Sequence, residues 1–246
     1  MIGNLRNAQG EALDCSFHEA RAPGPRRLLV LGHGVTANKD RPFLVALAGA
    51  AAAAGIDALR FSFAGNGSSQ GRFEDATVTK EVADLGAVLD AAEAAGYDRV
   101  AYAGHSMGGA VGVLRASVDP RITTLLSLAG MVHTQAFARR KFGDQRPGAS
   151  LMWDKPECPL SQAYMDDMAA IGSVLDRVDD VVVPWLLVHG DADTVVPLAD
   201  SEDVVARARP GRARLEVLPG ADHVFGSDDA TRRMVEVATP WLVETL

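Results

Sequence analysis

The stretch "AYAGHSMGGAVG", residues 101–112, places a single serine among glycines at the end of an apolar run. Val100 to Ala103 reads as a short buried strand and Met107 to Val118 as a helix, so Ser106 falls on the tight turn between them. Such a turn holds the serine at its tip in a strained backbone conformation and leaves no room for side chains on its flanks. Gly104 and Gly108, two residues before and two after, meet that demand, which is the physical content of a G-x-S-x-G nucleophile elbow. A serine hydroxyl is a weak nucleophile until a base takes its proton. The pattern also occurs in ordinary Gly-rich turns, so its meaning depends on a base, an acid and an oxyanion site standing in the right places.

The rest of the chain alternates strands with helices. "IGNLRNAQGEALDCSFHEA" shows two alternating segments around Asn7-Ala8-Gln9-Gly10, a hairpin signal. "RRLLVLGHG" is an apolar strand ending in glycines, followed by a helix from about Arg41 to Ala54 that stops at Gly55. "DALRFSF" gives another strand, then a polar glycine loop, then a helix over Thr79–Ala95 with Val82, Leu85, Leu89 and Ala92 at helical spacing. Beyond the serine, "ITTLLSLAG" and "VVVPWLLVHG" read as buried strands, with a helix near Leu198–Ala208. "RLEVLPG" suits an edge strand, and a C-terminal helix from about Ala230 contains Pro240. This order predicts one α/β domain over residues 1–246, with a mostly parallel central sheet, helices on both faces and an antiparallel N-terminal hairpin. One segment breaks the rhythm: Met131 to about Val181, roughly 50 residues without a sheet strand, where connections usually run ~2–6. It reads as a short lid rich in Met and aromatic residues, with Trp153 a candidate for the substrate pocket.

In an open α/β sheet reactive groups collect beyond the C-terminal strand ends. Among the six histidines, His223 in "LPGADHVF" follows the last strand and is placed to reach Ser106. "HGDADTVVP" supplies Asp191 and Asp193 after the preceding strand; Asp193, at the turn into the next helix, is the preferred acid and Asp191 a turn residue. In this reading the imidazole accepts the Ser106 proton and the carboxylate fixes its tautomer. An oxyanion site needs two backbone N–H groups. Met107, directly after the serine, offers one, and Val35 in "LGHGVT", where Gly34 lets the backbone approach, offers the other. His33 and His105 read as structural, and the run Arg139, Arg140, Lys141, Arg146 as a solvated charged face, ahead of the alternative of a site for acidic substrates.

Taken together, His33-Gly34 with Val35, "FAGNGSSQG", "GHSMGG", "HGDADTVVP" and "GADHVF" resemble the α/β-hydrolase superfamily over nearly the whole chain. They look most like its small-lidded carboxylesterases, among them the feruloyl (cinnamoyl) esterases; dienelactone hydrolases and monoacylglycerol lipases are similar. The resemblance implies hydrolysis of small-molecule carboxylic esters through a serine acyl-enzyme, without a cofactor. Feruloyl esterases usually carry an aromatic residue after the His-Gly pair; here it is Val35. The same site would also serve acyl transfer to an alcohol or amine, or amide cleavage, and a third class is a non-catalytic binding protein on this fold.

Composition excludes several other classes. A formal net charge of −8 argues against a nucleic-acid partner, which needs a basic face. The longest apolar run, Phe43 to Ile56, is Ala-rich and too short to span a bilayer. "MIGNLRNAQGEALD" holds no apolar stretch for a signal peptide. Cys15 and Cys158 form neither a disulfide framework nor a metal spacing, which fits a reducing, cytoplasmic setting. Gly32 to Ala37, "GHGVTA", matches the dinucleotide fingerprint G-x-G-x-x-A, but the next strand ends in Phe61 to Phe63 where that reading requires an acidic residue. No metal-ligand spacing stands out around His189, Asp191 and Asp193.

Overall fold

The computed structural model describes residues 4–20 and 26–246. Its strands are β1 (Cys15–His18), β2 (Arg27–Gly32), β3 (Asp57–Phe61), β4 (Arg99–His105), β5 (Ile122–Leu128), β6 (Trp185–Gly190) and β7 (Ala213–Leu218), joined in one sheet in the order β1-β3-β2-β4-β5-β6-β7. All neighbours pair in parallel except β1, which runs antiparallel to β3. The central strands are apolar without a polar face because both sides are covered. Along β2, Leu28 and Val30 enter one core while Leu29 and Leu31 enter the other. Helices α1 (Pro42–Ala53) and α7 (Asp228–Thr245, running through Pro240) close the second core. Helices α2 (Val78–Ala94), α3 (Met107–Ala116) and α6 (Leu198–Arg207) close the first.

The expected N-terminal hairpin is slight. The turn forms, with Gly10 N–H donating to Asn7 O at 2.9 Å, but its arms share only the bridge Arg6↔Ala12. The antiparallel strand of the sheet is Cys15–His18, which finds a four-residue register on β3. The first residues of the predicted arm, 1–3, lie outside the described residues. Between β5 and β6 the chain forms α4 (Thr134–Phe142) and α5 (Gln162–Ile171), linked through short 3-10 turns. Phe137, Phe142, Tyr164 and Met168 of this insertion are buried in the first core.

This topology decides where a site can form. After β2 the chain moves to β3 on one side; after β4 it moves to β5 on the other. The crevice beyond the ends of β2 and β4 is therefore the switch point at which α/β sheets bind ligands. Gly32 and Gly104 are paired in register at the ends of these two strands, so the loops that follow leave side by side.

One core residue departs from ordinary packing. Glu81 of α2 is 1% exposed, and neither carboxylate oxygen has a hydrogen-bond partner. Burial, reinforced by the charges of Asp84 and Asp167, raises its pKa well above the usual carboxylate value. Folding therefore takes up a proton at Glu81 once the pH exceeds ~4.3, the value of a free side chain, and stability falls as the pH rises from there. Glu81→Gln needs no such proton. It should raise Tm at pH 8 by ~2–4 °C or more, equivalent to at least about 1 kcal/mol, and the gain should shrink to nothing near pH 4. Thermal melts at the two pH values test this; equal shifts at both would mean that Glu81 is ionised in the folded protein.

Candidate active site

Ser106 stands between β4 and α3 with φ 53° and ψ −119°, a conformation that costs a non-glycine residue of order 1–3 kcal/mol. The surrounding backbone leaves it no alternative. A Cβ on Gly104 would lie 2.1 Å from Gly108 O, and one on Gly108 would lie 2.6 Å from His33 O. Both positions exclude any side chain, since strand, turn and helix pack backbone against backbone. Ser106 is 1% exposed, yet it lines a cavity of about 180 Å³ together with Gly34, Val35 and His223.

The acid side of the site is built on the loop after β6. Asp193 Oδ1 accepts the N–H groups of Val195 (2.7 Å) and Val196 (3.0 Å), which orients the carboxylate. Its Oδ2 accepts a hydrogen bond from His223 Nδ1–H at 2.7 Å. The carboxylate is wholly buried. Burial alone would raise its pKa, but the hydrogen bonds from His189 and His223 outweigh that and hold it well below the usual range. With Nδ1 donating to Asp193, the Nε2 of a neutral His223 is left as a base facing the cavity. Ser106 and His223 share this cavity without a hydrogen bond between them; such contacts often tighten only when substrate binds. Asp191 is elsewhere, capping Gly220 N–H at 2.6 Å on the surface.

Val35 lines the cavity with Ser106 and Met107 follows Ser106 in the chain, and two locked peptide planes direct their N–H groups. Gly34 C=O accepts Ala37 N–H at 3.1 Å and His33 Nδ1–H at 2.8 Å. Ser106 C=O accepts Gly109 N–H at 2.8 Å and Met131 N–H at 2.9 Å. A trans peptide carries its C=O and N–H on opposite edges of one plane. Fixing each carbonyl therefore aims the next N–H, of Val35 or Met107, the other way. Neither N–H has an acceptor among the described residues. The approach of the two loops again depends on glycine, because a Cβ on Gly34 would sit 2.8 Å from Ser106 Cβ. Such a pair of donors can receive a developing oxyanion.

Four side chains make contacts beyond the sequence reading. His189 Nε2 lies 3.2 Å from Asp193 Oδ2 and 3.1 Å from Val196 O. Both are acceptors, so Nε2 carries the proton and Nδ1 accepts from the Ser201 hydroxyl at 2.8 Å; His189 is thus a second support for Asp193. His105 Nε2–H donates to the His223 carbonyl at 2.9 Å and ties the elbow to the loop of the base. Burial is the main cause that depresses both His105 and His33, the latter to about 4. The charged run of α4 is also more than a solvated face: Arg140 and Lys141 donate to the carbonyls of Val195 (3.2 Å) and Thr194 (3.0 Å), beside Asp193. Spacing could not have revealed these partners: His105, Arg140 and Lys141 reach loops distant in sequence, and the His189 contact depends on the path of the loop after β6. Trp153 lines the cavity at its rim, 40% exposed, and packs edge-on against Phe142 with ring centroids 4.9 Å apart.

A serine on a strained strand-to-helix turn at the switch point of such a sheet, facing a histidine held by a carboxylate, is the arrangement of the α/β hydrolases. The chain belongs to the alpha/beta hydrolase family, whose model matches residues 28–237. Its backbone is similar to that of Est1E from Butyrivibrio proteoclasticus solved with ferulic acid, with a TM-score of 0.85 and 26% identity over 97% of each chain. It shares its fold with a monoacylglycerol lipase from Paleococcus ferrophilus, with a TM-score of 0.75 and 20% identity over 95% of this chain and 99% of that one. An uncharacterised protein of Mycobacterium tuberculosis is 26% identical over 228 residues, 93% of this chain and 73% of its own length. Among the described residues no helix is long and apolar enough to cross a membrane.

The two aspartates give a direct test of the acid. Asp193→Asn would lose the acceptor that selects the His223 tautomer and should lower kcat by about 10⁴-fold. Asp191→Asn should stay close to the parent protein. Steady-state kinetics on one ester substrate would separate them, and the reverse ranking would move the acid to Asp191.

Proposed function

We propose that the protein is a serine hydrolase of carboxylic esters with small to medium acyl or alcohol groups. The observation that carries this reading is that Ser106, His223 and Val35 line one cavity, with Asp193 bonded to His223 and the N–H groups of Val35 and Met107 without an acceptor among the described residues. His223 Nε2 takes the Ser106 proton as the oxygen attacks the acyl carbon. The tetrahedral oxyanion is received by the two N–H groups. His223 then gives the proton to the leaving alcohol, and water, activated in the same way, releases the acid from the acyl-enzyme and restores Ser106. The family membership supports hydrolase chemistry, and a similar structure solved with ferulic acid, a carboxylic acid such as ester hydrolysis releases, fits an ester as substrate. The cavity, at about 180 Å³, is smaller than the ~300–1,000 Å³ of typical ligand pockets, which favours compact substituents.

Ser106→Ala should lower kcat by about 10⁶-fold, because the three side chains act as a unit. It should also abolish labelling by a fluorophosphonate, read by intact-protein mass spectrometry. Stoichiometric labelling of an active mutant would place the nucleophile elsewhere.

The pH profile follows from the charge states around the cavity. Asp193 is held ionised, and His33 and His105 are held neutral. The proposed mechanism needs one base, the His223 Nε2, so kcat/KM should fall in a single step on acidification. Two acid-side steps in the profile would require a second titrating group at the site.

Trp153 forms the outer wall of this cavity. Trp153→Ala should shift the acyl-chain profile toward longer esters while fluorophosphonate labelling proceeds at the parent rate. An unchanged profile with a lowered Tm would make it part of the insertion's packing only.

A further inference from the structure

Among the described residues, two cations and no carboxylate line the cavity of the candidate active site. Arg41 and Lys155 both line it, and no Asp or Glu is among its walls; Asp193 reaches it only through His223. Arg41 forms no ion pair or side-chain hydrogen bond with any described residue. Its sequence neighbour Asp40 is taken by Lys39 and Arg60, at 2.9 and 2.7 Å. Lys155 Nζ donates to Thr36 O at 3.0 Å and lies 3.4 Å from Thr36 Oγ1, both neutral acceptors, so its charge also stays uncancelled. Both residues are half-buried, where an unpaired charge carries a desolvation cost that an anion would offset. Arg41 also stands at the N-terminus of α1, whose dipole adds to the positive potential. Its charge reaches the inner wall, where it contributes, after burial, to keeping His33 and His105 neutral. All this lies in a chain of formal net charge −8, so the cavity is a local attractor for anions within a surface that repels them.

We infer that the ester substrate carries a carboxylate a few bonds from the scissile bond, received between Arg41 and Lys155. The inference rests on the ester-hydrolase reading and narrows it to half-esters of dicarboxylic acids or acyl esters of hydroxy acids. Attack by Ser106 and release by water leave this second group untouched; its role is to fix the ester against the nucleophile.

The test compares two pairs of esters. Monoethyl glutarate is set against ethyl glutaramate for a carboxylate on the acyl side. For the alcohol side, 3-acetoxypropanoate is set against 3-acetoxypropanamide. Binding is measured by calorimetry on Ser106→Ala, and kcat/KM on the parent protein. In one pair the carboxylate should be favoured over its amide by at least about tenfold, the worth of a hydrogen bond to a charged group. The pair that shows it tells which side of the ester bears the charge. Arg41→Gln should erase the preference, and Arg41→Lys should keep most of it. The inference is overturned if neither carboxylate binds better than its amide, or if Arg41→Gln keeps the full preference. Ready hydrolysis of the amide-bearing esters without selectivity would sink this inference and leave the ester-hydrolase reading standing. Carboxylate-selective binding by Ser106→Ala in a protein that hydrolyses no ester would do the opposite.

Discussion

The candidate active site depends on one backbone conformation, that of Ser106. At φ 53° and ψ −119° it is unfavourable for a residue with a side chain, and it persists because both of its peptide groups are held. Ser106 N–H donates to Leu128 O at 3.0 Å, and Ser106 C=O accepts from Gly109 and Met131. The first bond fixes the elbow to the neighbouring strand. The second closes the first turn of α3 and attaches the start of the insertion. Relaxing Ser106 would break these bonds, withdraw its hydroxyl from the cavity and turn the Met107 N–H away. Strain in the serine, direction of the Met107 N–H and anchorage of the insertion are therefore one feature.

The same economy governs the loop after β2. Thr36 also has a positive φ, 55°, and its carbonyl is held by Lys155 from the insertion. The preceding Gly34 carbonyl is held by His33 and Ala37. Because His33 Nε2 also accepts the Phe63 N–H at 3.0 Å, the loops after β2 and β3 are fixed through one neutral imidazole. A protonated His33 could not accept that N–H, so its depressed pKa and its structural role are the same fact seen twice.

Much of this was legible in the sequence, for identifiable reasons. Strands β2, β4, β5 and β6 are short apolar runs flanked by glycine or polar turns, and Gly104 and Gly108 announce a backbone that admits no Cβ. The order Ser106, Asp193, His223 follows strand ends, so it can be read before any geometry is known. Side-chain bridges between loops could not be read in this way. His189 serves Asp193 four residues on, and His105 reaches a carbonyl 118 residues away. On α2, Val82 packs against the core as its helical spacing implies, though only half-buried, and its neighbour Glu81, which no spacing singles out, is fully enclosed. A carboxylate there contradicts every polarity rule, and only its neighbours can show that it is held neutral.

The insertion does more than cover the cavity. Arg140, Lys141 and Lys155 each donate to a main-chain carbonyl, two beside Asp193 and one beside Val35. A carbonyl satisfies a donor without cancelling a full charge, so three cations remain positive around the site while two loops gain a fixed orientation. Their weight differs. Arg140 is exposed, and its field is screened by solvent and salt over about 8–10 Å. Lys155 is half-buried at the cavity wall and acts through a medium of lower polarity, where each charge counts for more. The proposed acyl-transfer step creates negative charge on the oxygen facing Val35 and Met107. A cation that is fixed before the reaction and needs no rearrangement during it lowers the energy of that charge more than that of the neutral ester. Lys155, which holds the loop after β2 through Thr36 O, thereby also contributes to the potential in which the proposed oxyanion would form.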